Sequence, residues 1–266
     1  EAVTTAPLTV TGPGWELRLG SCLDPVTGLA SLADKSVDVC LTDPPYEAEV
    51  HGSGRRIRDP GGDKGAAKYR KCVEAPLPFD AIAEKDRAAV ATQIGRVTER
   101  WSLVFCQVEA THRWAAELDR AGSGYVRTAV WIKPDGQPQF SGDRPGMGYE
   151  SIVISHPAGK KRWNGGGRVG VFTHNKSGGR EMGTPAPHPT TKPTPLIAEL
   201  VELFTDPGDL VCDPFAGSGT TGVACLRLGR RFIGWELDPT YFEIACRRLR
   251  GDEARPRPEQ PSLFAS

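Results

Sequence analysis

Four consecutive residues carry the densest chemistry in the chain: Asp43-Pro44-Pro45-Tyr46, directly after a stretch in which Val37, Val39 and Leu41 alternate with Asp38, Cys40 and Thr42. Asp43 offers carboxylate oxygens, and the Pro44 carbonyl is a second acceptor whose direction rigid proline geometry fixes. An exocyclic amino group on a base is a poor nucleophile, because its lone pair is delocalised into the ring. Asp43 on one amino hydrogen and the Pro44 carbonyl on the other, both out of the ring plane, favour a pyramidal nitrogen whose lone pair is free to attack. That is orientation plus electrostatic stabilisation and needs no covalent intermediate. Tyr46 adds a ring face on which an extruded base can stack. A plain turn after a buried strand would explain the two prolines, but not the carboxylate and ring together.

The second cluster is Asp213-Pro214-Phe215-Ala216-Gly217-Ser218-Gly219-Thr220-Thr221. Gly217 and Gly219 remove side chains where the backbone turns tightly and approaches a ligand. A helix starting near Thr220 aims N–H groups at the same place. Glu236, at the end of the following strand, falls where an acid hydrogen-bonds a ribose hydroxyl pair. Gly217, Gly219 and Gly222 satisfy a GxGxxG spacing, which alone is weak and would suggest NAD. Asp213, just ahead, would repel a pyrophosphate but suits the cationic methionine end of S-adenosylmethionine. No GK[ST] follows, which excludes a phosphate P-loop. The bland alternative is a strand-to-helix turn that binds nothing.

With a methyl donor at the glycine loop, Asp43 to Tyr46 must lie beside it, at the carboxyl end of a parallel neighbour strand. The patterning supplies such strands. Strands are expected at Trp15–Leu19, Val37–Thr42, Leu103–Gln107, Thr128–Ile132, Ser151–Ser155, Leu210–Cys212 and Phe232–Trp235. Helices are expected at Asp86–Trp101, Thr111–Ala121, Pro195–Phe204, Thr220–Leu228 and Pro239–Leu249. This alternation predicts an α/β domain over residues 1–250, a mostly parallel sheet covered on both faces.

The 266 residues, 38% hydrophobic and 25% charged, suffice for one sizeable core. Lys+Arg and Asp+Glu both number 33, so any polyanion contact must be local. No apolar run approaches the ~18 residues of a membrane span, and no signal-peptide pattern opens the chain. The seven cysteines form no CxxC pair and no metal-ligand spacing, so no metal is expected. Reduced thiols in a cytoplasmic protein fit best.

On these residues the chain resembles the DNA amino-methyltransferases, N6-adenine or N4-cytosine specific. The likeness is to the permuted, beta group, in which the catalytic Asp-Pro-Pro-Tyr precedes the donor loop. The resemblance spans Leu17 to Leu249 and rests on "TDPPY", "HPTTKP" (His188 to Pro193), "DPFAGSGTT" (Asp213 to Thr221) and "GWELDPTYFEIA" (Gly234 to Ala245). It implies the class I S-adenosylmethionine-dependent methyltransferase fold with permuted motif order. It also implies S-adenosylmethionine as donor, S-adenosylhomocysteine as product, double-stranded DNA as partner, and Lys192 and Pro193 near the methionine moiety. Asp at position 43 favours adenine N6; N4-cytosine is the alternative. The family usually carries Gly-Asp where this chain has Gly20-Ser21, so the acid contact to the donor's adenine is lacking there, and Asp24 is a weak substitute.

Two long basic loops stand outside the strand pattern. Residues 47–78 contain Arg55, Arg56 and Lys68. Residues 157–187 contain Lys160, Lys161, Arg162 and Arg168 and are the target-recognition candidate. Both are expected to meet DNA phosphates. Cys106 in "FCQVE" lacks the proline that precedes a cytosine-C5 nucleophile, and His112, His156 and His174 read as structural or solvated. The tail, 251–266, is Pro-rich and charged, but Gln260, Leu263 and Phe264 resemble the short peptides that dock DNA enzymes on a sliding clamp. A homodimer is a further partner implied by the resemblance. Competing functions are methylation of RNA or of protein amides, a non-catalytic DNA-binding module, and an NAD oxidoreductase.

Overall fold

The computed structural model describes residues 8–46, 55–58, 72–75, 81–136, 145–176 and 191–251, with the backbone alone for 55–58 and 72–75. In chain order the described strands are β1 (Thr9–Gly12), β2 (Trp15–Leu19), β3 (Val37–Thr42), β4 (Arg55–Arg58), β5 (Cys72–Ala75), β6 (Thr98–Cys106), β7 (Gly124–Ile132), β8 (Tyr149–His156), β9 (Val171–Thr173), β10 (Leu210–Asp213) and β11 (Arg231–Glu236). The helices are α1 (Glu84–Val97), α2 (Thr111–Arg120), α3 (Thr194–Phe204), α4 (Thr220–Arg227) and α5 (Pro239–Leu249). Nine strands form one sheet in the order β1-β2-β11-β10-β3-β6-β8-β7-β9, and β4 with β5 forms a separate two-stranded sheet.

The strands β2, β11, β10, β3 and β6 run parallel. Both faces of this central run are buried. Trp101, Leu103 and Phe105 of β6 join Leu200, Val223 and Phe242 of α3, α4 and α5 on one face. Val104 and Cys106 join Val90, Ile94 and Trp114 of α1 and α2 on the other. β3 is buried on both sides, since Cys40 and Thr42 are as buried as Val39 and Leu41. An irregularity in its register between Val37 and Val39 turns those two valines to opposite faces. Burial of each such side chain stabilises by ~2 kcal/mol, so Asp43 starts from a firmly anchored strand end.

Several elements differ from the sequence expectation: β1, β4, β5 and β9 were not expected, and β4, β5 and β9 fall within the segments read as loops. The helix expected to Trp101 stops at Val97, and β6 follows at once; Thr98 and Trp101 suit a strand, and Lys35 Nζ accepts its place by donating to the Gly95 and Thr98 carbonyls at 3.1 and 2.7 Å. β8 runs antiparallel to both β6 and β7, and this reversal decides where several functional candidates fall.

The site lies where the topology switches. From β10 the chain crosses through α4 to β11, on one side; from β3 it crosses through α1 to β6, on the other. The crevice between the carboxyl ends of β10 and β3 is the ligand position of open α/β sheets. Among the described residues no helix is long and apolar enough to cross a membrane.

Candidate active site

The glycine turn between β10 and α4 is built from backbone outward. Gly217 and Gly219 adopt φ of +53° and +79°, the left-handed region that a side chain disfavours. A Cβ on Gly219 would lie 3.0 Å from the Ala245 Cβ, whereas one on Gly217 would meet nothing within 4 Å. The turn therefore packs on α5 through Gly219 and presents Gly217 to an open cradle. Gly222 serves packing: a Cβ there would press to 2.6 Å of Leu249 and 2.7 Å of Phe232. Ala216 N donates to the Trp235 carbonyl and Phe215 N to Asp213 Oδ1. Arg248 braces the turn from α5, donating to the Ser218 carbonyl, Ser218 Oγ and Thr220 Oγ1 at 2.6, 2.9 and 3.1 Å.

Two acids border the turn. Glu236 Oε2 accepts from Gly217 N and Oε1 from Asp238 N, each at 2.8 Å. Burial raises its pKa above the ordinary value, against the pull of those N–H groups. Asp238 in turn caps α5, accepting from Thr240 N and Tyr241 N ahead of Pro239 at the helix start. Asp213 is buried behind Pro214, and its oxygens accept from Thr42 Oγ1 and Thr221 Oγ1, each at 2.7 Å. Burial pushes its pKa up to about 6, against three hydrogen bonds. The Thr42 bond ties the residue before Asp43 to the glycine loop 171 residues away.

Asp43 sits in a charged cluster. Lys192 Nζ donates to Asp43 Oδ2 at 2.5 Å, reaches Tyr46 Oη at 3.4 Å and lies 3.2 Å from Glu150 Oε2. It also stands 5.5 and 5.1 Å from the ring centroids of Tyr46 and Phe105. Lys133 pairs with Glu150 Oε1. Burial pushes Glu150 up, yet Lys192 and Lys133 together pull it down to about 2. Burial raises Asp43 in spite of Lys192. Burial disfavours the Lys192 ammonium, but the two carboxylates outweigh it and hold its pKa above the ordinary lysine value. The two acids are thus driven apart: Glu150 is the permanent anion and Asp43 the better base.

The structure brings together Asp43, Pro44, Pro45 and Tyr46 with Lys192, and it assembles Asp213 to Thr221 with Glu236 next door. Lys192 points at Asp43, and Pro193 caps α3 without a side-chain bond. Asp24 is taken up in its own turn, accepting from Val26 N, Thr27 N and Thr27 Oγ1. The six cysteines whose side chains are described are all buried, and no metal-holding group of His, Cys, Asp and Glu occurs among the described residues. Glu150, Lys133 and Arg248 had no part in the sequence expectation. Because β8 is antiparallel, its first residues lie at the same rim as the last residues of β3 and β6. An acid opening an apolar strand was the signal, and the expected boundary at Ser151 excluded it by one position.

The same reversal places the basic segment after β8. Lys160, Lys161 and Arg162, expected to meet DNA phosphates, follow His156 at the rim opposite Asp43, beside the start of β7. Asn164 Nδ2 donates there to the Glu202 and Thr205 carbonyls at the end of α3, and Arg162 pairs with Asp206 at 2.8 Å. Arg168 pairs with Glu199. Arg55 and Arg56 belong to β4, of which only the backbone is described. Lys68, residues 177–187, and the tail with Gln260, Leu263 and Phe264 lie outside the described residues.

Known proteins share this architecture. M1.HpyAVI, solved as a complex with SAM, superposes with a TM-score of 0.62 at 23% identity, covering 88% of this chain and 98% of that one. The PvuII cytosine-N4-specific DNA methyltransferase gives 0.65 at 17% identity, covering 90% and 87%. At such identities the likeness establishes the methyltransferase fold. Among sequences, the type II methyltransferase M.Cfr9I of Citrobacter freundii is 36% identical over 140 residues, 48% of this chain and 46% of that protein. M.HinfI of Haemophilus influenzae is 25% identical over 268 residues, 92% of this chain and 70% of that protein. The chain therefore spans about half the length of the first and about two thirds of the second. The family model described as DNA methylase matches residues 37–247, from β3 through the Asp43 cluster and the glycine turn to α5, and the chain belongs to that DNA methylase family.

Proposed function

We propose that this chain transfers a methyl group from S-adenosylmethionine to the N6 amino group of adenine in double-stranded DNA, acting on a base extruded from the helix. The observation that carries this reading is the Thr42–Asp213 hydrogen bond, which locks Asp43-Pro44-Pro45-Tyr46 against the glycine turn.

The residues present fit the donor. Gly217 faces an open cradle, the N-terminus of α4 opens onto the same space, and Glu236 keeps lone pairs for a ribose diol beyond the two N–H groups it accepts. When bound, S-adenosylmethionine supplies a methyl group on a positively charged sulfur. The chain's own residues do the rest. Asp43 and the Pro44 carbonyl accept the two amino hydrogens and draw the nitrogen lone pair out of conjugation. Tyr46 presents a stacking face. Asp43, made more basic by burial, takes the proton that the nitrogen sheds. Glu150 stays anionic and balances Lys192.

Asp rather than Ser at position 43 favours adenine within the family pattern, with cytosine N4 as the second reading. Docking on a sliding clamp through Gln260, Leu263 and Phe264 is an additional proposal, tested by binding of a 255–266 peptide to purified clamp at micromolar order, ~8 kcal/mol. The deciding experiment is long-read sequencing of DNA from a methylation-free bacterial host that expresses the chain. N6-methyladenine at one short sequence is the expected result. N4-methylcytosine would select the second reading. Unmodified DNA together with intact donor binding would leave a non-catalytic module.

A further inference from the structure

Lys192 fills both places that an acceptor base needs. Its ammonium holds Asp43 Oδ2 at 2.5 Å and lies over the Tyr46 ring. Asp43 Oδ1 is buried without a hydrogen-bond partner, although 27% of the side chain is exposed. Oδ1 is therefore closed to an incoming amine, and Oδ2, the oxygen that Lys192 holds, is the one left to meet it.

A buried ammonium stripped of its carboxylate is strongly disfavoured unless another acceptor takes it. Glu150 is placed to do so. Its Oε1 is anchored by Lys133. Its Oε2 receives no aligned hydrogen bond, yet stands 3.2 Å from the Lys192 nitrogen. Closing to an ordinary charge-assisted length of ~2.8 Å needs a shift of a fraction of an ångström. An ammonium has three N–H donors, so it can rotate from one carboxylate to the other without leaving the cluster.

We propose that Glu150 is a positioning residue for methyl transfer, drawing the Lys192 ammonium off Asp43 as the acceptor amine enters, so that Lys192 alternates between two carboxylates and gates Asp43. This rests on the amino-group methylation proposed above. A Glu150 that merely stiffened the rim would matter equally with or without Lys192, and that difference is measurable.

The test uses the full chain and a duplex built on the site found by sequencing, with 2-aminopurine in place of the target adenine. Fluorescence, read with no donor present, rises when that base leaves the stack. Glu150→Gln is expected to lower the extrusion signal, and kcat/KM on the unmodified duplex, by ~10-fold, with donor affinity by calorimetry unchanged. In a Lys192→Met background the same exchange is expected to change either readout by less than ~2-fold. Lys192→Gln is made alongside, so that one folded background suffices, with donor calorimetry as the check on folding. Equal losses in both backgrounds, no loss with Lys192 intact, or loss of base extrusion in both folded Lys192 variants would each overturn the gate. Failure of the methyltransferase reading shows separately and earlier, as unmodified host DNA with the wild-type chain.

Discussion

Lys192 Nζ and Asp43 Oδ2 lie 2.5 Å apart across 149 residues of sequence. The pair joins the segment before α3 to the end of β3, and the glycine turn lies alongside through the Thr191 hydroxyl, 3.4 Å from Ser218 Oγ. Three distant stretches thereby meet at one rim of the sheet, each ending an element whose position the core fixes. The chemistry assigned to them is open to direct tests.

Asp43→Ala should abolish methyl transfer to DNA while donor binding survives, because the role proposed for Asp43 is on the acceptor nitrogen. Lys192 retains Glu150 as its partner, so the fold should tolerate the change. Rates measured with saturating donor decide the matter: a loss of ~10-fold or less, ~1.4 kcal/mol, would be too small for the role.

Gly217→Val and Glu236→Ala should each weaken S-adenosylmethionine binding. Valine at a φ of +53° is strained and fills the cradle. Alanine at 236 removes the proposed ribose acceptor and also frees Gly217 N. Calorimetry showing wild-type affinity for both variants would sink the pocket assignment.

Asp213 gives a pH signature. Its pKa rises from an ordinary 3.8 to about 6 through burial. Protonation therefore favours the folded chain, a contribution fully present below about pH 3.8 and lost as pH rises through about 6. Asp213→Asn removes that dependence and leaves every other titrating group in place. Urea unfolding of both proteins should show the wild type gaining stability relative to the variant between pH 7 and pH 4.5. A constant difference across that range would mean that Asp213 is already an ordinary carboxylate.

Arg248→Met should loosen the glycine turn by removing the one guanidinium nitrogen that bonds Ser218 and Thr220. Each lost hydrogen bond contributes ~1 kcal/mol, so donor affinity is expected to fall by ~10-fold or more, with transfer at saturating donor largely kept. A collapse of the saturated rate with affinity intact would place Arg248 in the chemistry and not in the turn.

Charge reversal at Lys160 and Lys161 should leave the salt dependence of DNA binding unchanged, since both residues stand at the rim opposite Asp43. Phosphate contacts release counterions and set the slope of log K against log salt. A flattened slope would bring this segment back to the DNA.

Local signals carried much of this protein. Asp43 to Tyr46 is a contiguous string, and Gly217, Gly219 and Gly222 owe their types to backbone angles and close packing that any tight strand-to-helix turn requires. The parallel strands were legible because burial on both faces leaves dense apolar runs such as Leu210 to Cys212. Direction was not legible. Nothing in Tyr149–His156 distinguishes a parallel strand from an antiparallel one, because the side-chain period is the same in both. That one reversal carries Lys160 to Arg162 away from the site and carries Glu150 into it. The sequence by itself determined which groups could turn an amine into a nucleophile and which turn could cradle a donor. Only the tertiary structure decided that Lys192 turns to Asp43, that Glu150 and Lys133 complete its charge balance, and that Thr42 binds Asp213. Those contacts depend on strand order and direction across the whole sheet, and no local stretch of sequence encodes either.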